Sequence, residues 1–271
     1  MDQHSSDGLL TSQKPEPYFC MLPCCPLFEP AEDDLFSQVA TGTLLKVRDM
    51  HFMLTAGHVC DQLAESNFIF PSREGFSILH GDVAIRACKA PPDLYDFGFV
   101  LLDSPTATEL KHFFKFAQPK DVDVNEYPLE GDWYSFAGFP YRKRKLLGKQ
   151  ISSPLLTLHL QVASKEAYYA LDVNPYSHII CNFNRERYVT PEGRSVTAPL
   201  PHGMSGGPII NYTKEVDPRI APTERKLAGI CTEYHAKSSL LIGVRIAGFV
   251  QAIINHYPEI AGEFEKIELL T

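Results

Sequence analysis

Between Gln38 and Ile246 the chain is a succession of short apolar stretches of strand length, separated by glycines and prolines. The clearest are Gln38–Val47, His51–Leu54, Asn67–Phe70, Phe97–Leu102, Trp133–Ala137, Leu155–Val162, Ile179–Phe183, Pro208–Asn211, Leu227–Cys231 and Leu240–Ile246. Several are rich in Val, Ile, Phe and Tyr, which suit a pleated, half-buried surface. Many short strands with turn signals between them predict an all-β chain built as barrels or a sandwich. Helical periodicity is confined to a few places. Ala247–Tyr257 sets Phe249, Val250, Ile253 and Ile254 at helical spacing and stops before Pro258. Val59–Glu65 reads as one or two turns, and Thr108–Phe116 fits either state.

Strand-like patterning fades between Ser104 and Gly131, where Pro105, Pro119, Pro128 and the acidic run Asp121–Glu126 fall, and it returns at Trp133. This divides the chain into a polar tail (1–17), a first β unit (18–104), a connection (105–130), a second β unit (131–246) and a C-terminal helix and tail (247–271). The 25 Lys and Arg against 33 Asp and Glu leave a formal charge of −8. An acidic surface repels polyanions, so neither nucleic acid nor an anionic membrane is expected as a partner. No apolar run reaches membrane-spanning length. The first residues carry neither a basic nor an apolar signal region, so a cytoplasmic, reduced protein is expected. Seven cysteines are an odd number and too few for a disulfide scaffold. Cys20, Cys24 and Cys25 lack the paired spacing of zinc modules and read as small hydrophobes. No metal or cofactor is expected.

Three segments carry residues suited to chemistry. In Leu54-Thr55-Ala56-Gly57-His58-Val59 a strand leads into a turn of small residues that leaves room for an imidazole. In Tyr95-Asp96-Phe97-Gly98-Phe99-Val100 a carboxylate precedes a buried-looking strand. In Pro201-His202-Gly203-Met204-Ser205-Gly206-Gly207-Pro208 a serine sits among three glycines. Glycines permit a tight turn with an exposed hydroxyl and let backbone N–H groups converge on one point. Each segment alone has an ordinary structural reading. Together they supply a nucleophile, a base and a group to orient the base.

These motifs, in the order His, Asp, Ser, resemble those of the chymotrypsin/trypsin-like serine peptidase family. Gly203-Met204-Ser205-Gly206-Gly207-Pro208 matches its serine motif except at Met204, and Gly57 stands where many members have a second Ala. The resemblance spans roughly residues 35–258. It implies two antiparallel six-stranded β-barrels of the chymotrypsin-like type with a C-terminal helix. It also implies a serine endopeptidase acting on a specific intracellular protein. Under it, His58, Asp96 and Ser205 are catalytic, and the N–H groups of Gly203 and Ser205 form the oxyanion hole. The backbone of Cys231, Thr232 and Glu233 pairs with the substrate strand. The specificity pocket has its base at Pro199–His202 and its walls along Thr232–Lys237. His202 and Thr232 suit an acidic residue before the scissile bond, whereas Glu233 suits a basic one.

The chain also departs from that family. Met204 replaces the Asp that zymogen-type members pair with a new N-terminal amine, so no activation by N-terminal cleavage is expected. Cys60, near a family disulfide position, is expected to be a buried thiol. Tyr141-Arg142-Lys143-Arg144-Lys145 reads as a solvated hairpin tip or a dock for an acidic protein. A regulatory partner is an open expectation, since an exposed triad needs restraint.

Two rival readings remain. Gly203-Met204-Ser205-Gly206-Gly207 also satisfies the nucleophile elbow of an α/β-hydrolase esterase. That elbow needs a helix after the Ser, where Pro208-Ile209-Ile210 reads as a strand, and it needs an acid and a His downstream. The other rival is a peptidase fold that has become a catalytically silent binding module.

Overall fold

The computed structural model describes residues 22–30, 35–87, 96–141, 143–145, 154–190, 193–212 and 225–264. The first half holds β1 (Cys24–Pro30), β2 (Leu35–Val47), β3 (Met50–Thr55), β4 (Ile69–Ser72), β5 (Gly75–Ile78), β6 (Gly81–Ala87) and β7 (Phe97–Leu102). Two helices interleave with them, α1 (Gly57–Glu65) and α2 (Ser104–Phe113). The second half holds β8 (Trp133–Gly138), β9 (Lys143–Lys145), β10 (Leu156–Gln161), α3 (Lys165–Ala170) and β11 (His178–Asn182). There follow the short hairpin β12 (Tyr188–Val189) and β13 (Ser195–Val196), then β14 (Pro208–Tyr212), β15 (Arg225–His235), β16 (Leu240–Arg245) and α4 (Ile246–His256).

The strands form two curled antiparallel sheets with a C-terminal helix, the architecture expected from the sequence. The first runs β5-β4-β1-β2-β3-β7-β6, and the second β10-β8-β14-β15-β16-β11. The second sheet has the six strands expected, but the first has eight because β9 crosses over to pair with β2. Arg144 lies opposite Phe36 there, so Lys143–Lys145 of the basic run form a strand rather than a free hairpin tip, and Arg142 lies outside the described residues. Its backbone takes the edge of β2 that β3, which pairs only from Thr43 to Val47, leaves open at Leu35–Ser37. β1 is a second departure. Its prolines and cysteines mask a strand that pairs with β2 from Cys24↔Thr43 to Pro30↔Phe36. Cys24 and Cys25 pack there as small hydrophobes. Burial pushes the Cys25 thiol up to about 12 and the Cys24 thiol up as well. Cys20 lies outside the described residues.

Each sheet encloses its own apolar core, and a third apolar cluster fills the seam between them. Phe52, Leu54 and Phe99 enter the seam from the first sheet, and Ile210, Leu227 and Ile230 from the second. Phe249, Val250 and Ile253 of α4 close it. Fully burying one such side chain is worth about 1.5–3 kcal/mol, so the seam holds the two sheets as one body.

The connection is hydrogen-bonded to both halves. Ala117 accepts from Lys46 N–H at 2.8 Å and donates to the Leu44 carbonyl at 2.9 Å. Asp123 N–H donates to the Leu227 carbonyl at 2.9 Å. Arg245, only 3% exposed, fastens the next turn. It donates to the carbonyls of Val124 (2.9 Å), Glu126 (2.6 Å) and Tyr176 (3.0 Å) and lies 4.2 Å from the Tyr127 ring centroid. Burial holds this guanidinium below its ordinary pKa. Arg245→Met keeps the bulk but orphans three carbonyls. It is expected to cost about 3 kcal/mol, read as a lower urea midpoint at unchanged m-value.

Candidate active site

β3 and β7 are neighbours, with Leu54 opposite Phe99 and Thr55 opposite Gly98. Their adjacent ends therefore carry His58 and Asp96 to one place. After Thr55 the chain turns through the extended residue Ala56 into α1, and His58 lies in the first turn of that helix. Asp96 is 3% exposed and accepts two hydrogen bonds from His58, one from the backbone N–H (2.9 Å) and one from Nδ1 (2.7 Å). The carboxylate thus satisfies an orphan N–H at a helix start and orients the imidazole at once. With Nδ1 donating to Asp96, Nε2 is left as the acceptor nitrogen. The imidazole remains 47% exposed, so it is open to a reacting group.

Residues 201–207 form the loop before β14. Its N–H groups sort into two sets. Met204 donates to the Pro201 carbonyl (3.0 Å), Gly206 to Cys231 (2.7 Å) and Gly207 to Met204 (2.8 Å). The N–H groups of His202, Gly203 and Ser205 have no partner among the described residues, and those of Gly203 and Ser205 lie nearest the serine hydroxyl in sequence. The carbonyl of His202 accepts from Tyr141 N–H. A trans peptide points its carbonyl and its N–H in opposite directions, so the Gly203 N–H faces away from Tyr141. Gly203 reaches this geometry at φ +88°, a region that disfavours side chains.

The loop is tied to the first sheet by residues that belong to none of the three motifs. Thr41 N–H donates to the Ser205 carbonyl (2.9 Å). The Thr41 hydroxyl donates to the Gly203 carbonyl (2.9 Å) and accepts from Phe139 N–H (3.0 Å). Gln38 Nε2 reaches the same Gly203 carbonyl (3.4 Å), and the Thr43 hydroxyl donates to the Gly206 carbonyl (2.7 Å). All three residues are buried. Their signal was present in the sequence as polar residues inside an otherwise apolar strand. Met204 is fully buried in the core of the second sheet, with its backbone close against Gly138. Apolar burial therefore anchors the loop at Met204, which has no carboxylate to form an ion pair.

The Ser205 hydroxyl donates to the Thr232 carbonyl at 3.3 Å, and no hydrogen bond joins it to His58. Asp96 and Thr232, whose carbonyl holds the Ser205 hydroxyl, line one cavity. Cys231 differs from expectation. Its N–H and carbonyl are both bonded to the nucleophile loop, through Gly207 and Gly206, and are not open to a substrate strand. Its buried thiol is pushed up to about 12, which makes it a poor nucleophile. β14 pairs with β15 only as far as Ile230, so beyond Thr232 the strand is paired on its β16 side alone among the described residues. His202 is exposed beside Tyr141. Cys60 is a buried thiol, as expected. Among the described residues no group of three or more His, Cys, Asp or Glu is placed to hold a metal ion, and no helix is long and apolar enough to cross a membrane.

Neither a protein-family model nor a curated protein matches this sequence. Solved structures do match. A thermostable serine protease, AL20, from an extremophilic microorganism aligns with a TM-score of 0.51 at 14% identity, covering 87% of this chain and 96% of that one. A protein designated GrC aligns with a TM-score of 0.51 at 14% identity, covering 87% and 93%. At such identities the likeness is one of fold. The chain has the chymotrypsin-like serine protease fold. That fold removes the α/β-hydrolase reading, because a strand and not a helix follows Ser205.

Proposed function

We propose that the chain is a serine endopeptidase in which Ser205, His58 and Asp96 act as a catalytic triad. The observation that carries this reading is the pairing of two features. One is the doubly hydrogen-bonded His58–Asp96 couple. The other is the pair of unpartnered N–H groups, Gly203 and Ser205, that flank the serine. In the reaction, His58 Nε2 takes the Ser205 proton as Oγ attacks the scissile carbonyl. The two N–H groups receive the developing oxyanion, a contribution of about 100- to 1000-fold per donor. The protonated imidazole then gives its proton to the leaving amine, and Asp96 stabilises its charged form throughout. Water repeats the sequence on the acyl-enzyme. A peptide adding as a strand along Glu233–His235 would present its carbonyl to this centre.

A fluorophosphonate probe tests the reading, since it labels only a serine that is activated. Labelling of Ser205, together with cleavage of a quenched peptide pool, is the expected result. The silent binding module is the second reading, favoured by the Ser205 hydroxyl lying on Thr232 and not on His58. Absence of labelling where trypsin labels would select it.

Thr41 offers a finer check. Thr41→Val removes the hydroxyl that holds the Gly203 carbonyl, with little change of shape. The expected result is a fall in kcat of about tenfold or more with KM within about twofold, because the two bonds lost, to the Gly203 carbonyl and from Phe139 N–H, hold the nucleophile loop and not the strand at Glu233–His235. Thr41→Ser is expected to restore most of the loss.

A further inference from the structure

Strand β2 sends polar side chains to the nucleophile loop, and two of them meet on one atom. The Thr41 hydroxyl and Gln38 Nε2 both donate to the Gly203 carbonyl oxygen, at 2.9 and 3.4 Å. Side chains alternate across a strand, so residues at odd separation ordinarily face opposite ways. Thr41 and Thr43 follow that rule, and both reach the loop. On the same rule Gln38 faces away from it. The register with β1 explains why it does not. Leu27 pairs with Ala40 and Phe28 with Gln38, so Val39 has no residue opposite it and is the extra residue of a β-bulge. A bulge re-aims the side chains next to it. Here it returns Gln38 to the face of Thr41.

The surroundings of Gln38 show what its amide is for. The residue is 1% exposed. Nε2 also donates to the Ala40 carbonyl at 2.9 Å. Both neighbours of that end of the amide are carbonyl oxygens, so the NH2 group and not the oxygen must face them. At the other end, Oε1 is buried with no hydrogen-bond partner. A buried acceptor without a donor costs stability, and an apolar side chain of the same shape avoids that cost. Stability therefore does not account for a glutamine at this position. What the amide supplies is a second donor to Gly203.

Gly203 needs that donor. Without a Cβ it turns easily about φ and ψ. The peptide before it is held at the His202 carbonyl by Tyr141 N–H, and the peptide after it at Met204 N–H by the Pro201 carbonyl. Thr41 and Gln38 hold the remaining polar group of that second peptide, the Gly203 carbonyl. A carbonyl held by one donor can pivot about the bond, whereas two donors from different residues fix its direction. With both peptide planes fixed, the Gly203 N–H points one way. At 3.4 Å the Gln38 bond is long, and bonds that serve catalysis often tighten only in the reacting complex.

We propose that Gln38 is a positioning residue of the oxyanion hole, which aims the Gly203 N–H by holding the Gly203 carbonyl, and that the bulge at Val39 brings it there. The proposal rests on the peptidase reading and adds to it a residue from outside the three motifs.

The test is Gln38→Met, which keeps the length of the side chain and removes both polar ends of the amide. Cleavage of a quenched peptide, the pH profile of kcat/KM and thermal unfolding are compared with wild type. kcat is expected to fall about fivefold or more with KM within about twofold. The pH profile is expected to keep its midpoint, because Gln38 touches neither His58 nor Asp96. Tm is expected to rise or to fall by no more than about 3 °C, since losing the bond to Ala40 is offset by losing the orphan oxygen. Combined with Thr41→Val, Gln38→Met leaves the Gly203 carbonyl without a side-chain donor, and kcat is expected to fall further than in Thr41→Val alone. A smaller fall in kcat, a shifted pH midpoint or a double variant no slower than Thr41→Val would overturn the proposal. So would a larger drop in Tm or a failure to fold, either of which would make Gln38 a residue of stability. Wild type that neither labels with fluorophosphonate nor cleaves would instead overturn the peptidase reading, and this role with it.

Discussion

Ser205→Ala is expected to lower peptide turnover by roughly four to six orders of magnitude and to abolish fluorophosphonate labelling. The loss is chemical and not structural. The Ser205 backbone carbonyl keeps its bond from Thr41, and the only hydrogen bond removed is the single 3.3 Å contact of the hydroxyl with Thr232. Thermal unfolding should therefore stay within about 2 °C of wild type, as expected for a loss of well under 1 kcal/mol. His58→Ala is expected to fall as far in turnover, because the three groups act as one unit and their effects do not add. Labelling that survived Ser205→Ala would show that another serine is the nucleophile.

Gly206→Ala is expected to damage both stability and chemistry. A Cβ at this position would lie 1.9 Å from the Thr41 carbonyl oxygen and 2.2 Å from the Thr55 hydroxyl, at a backbone φ of +88°. Thr41 belongs to the paired core of the first sheet, so the loop must move instead. The strained φ and the clash together are expected to cost about 4 kcal/mol and lower Tm by roughly 10 °C. The loop that moves carries Ser205 and both oxyanion donors, so the labelling rate is expected to fall at least about 100-fold. Gly75→Ala is the matched control. Its φ of +114° is also left-handed, but no atom lies within 4 Å of the added Cβ. A loss of only about 1–2 kcal/mol, with labelling unchanged, is expected there. Equal effects of the two substitutions on labelling would show that close packing around Gly206 does not hold the site.

Much of the fold was legible because strand-length apolar runs announce themselves one residue at a time. Phe97–Leu102 and Leu240–Arg245 are examples, and Ile246–His256 is legible for the parallel reason, its helical spacing. What escaped has a physical cause in each case. β1 is interrupted by Pro26 and ended by Pro30, so its composition reads as a loop. β9 is three basic residues with no apolar signal, and only the vacant edge of β2 makes it a strand. α2 carried its start signal in Asp103 and Pro105, where the Asp103 carboxylate accepts from Thr106 N–H (2.8 Å), but its weak apolar stripe left the state ambiguous.

The sequence by itself determined which chemical groups are present and their order along the chain. An imidazole follows a strand, a carboxylate precedes one, and a serine lies among glycines, because those residue types and spacings are local properties. Tertiary structure alone decided how the groups are held. The β3–β7 pairing brings His58 onto Asp96, and the hydroxyl of Thr41 joins Gly203 to Phe139 across the seam. It also set Glu233 opposite Ile242, where both line a cavity with His235. These contacts join residues up to 162 positions apart, and no local pattern encodes a hydrogen bond whose partners meet only when two sheets close on a common core.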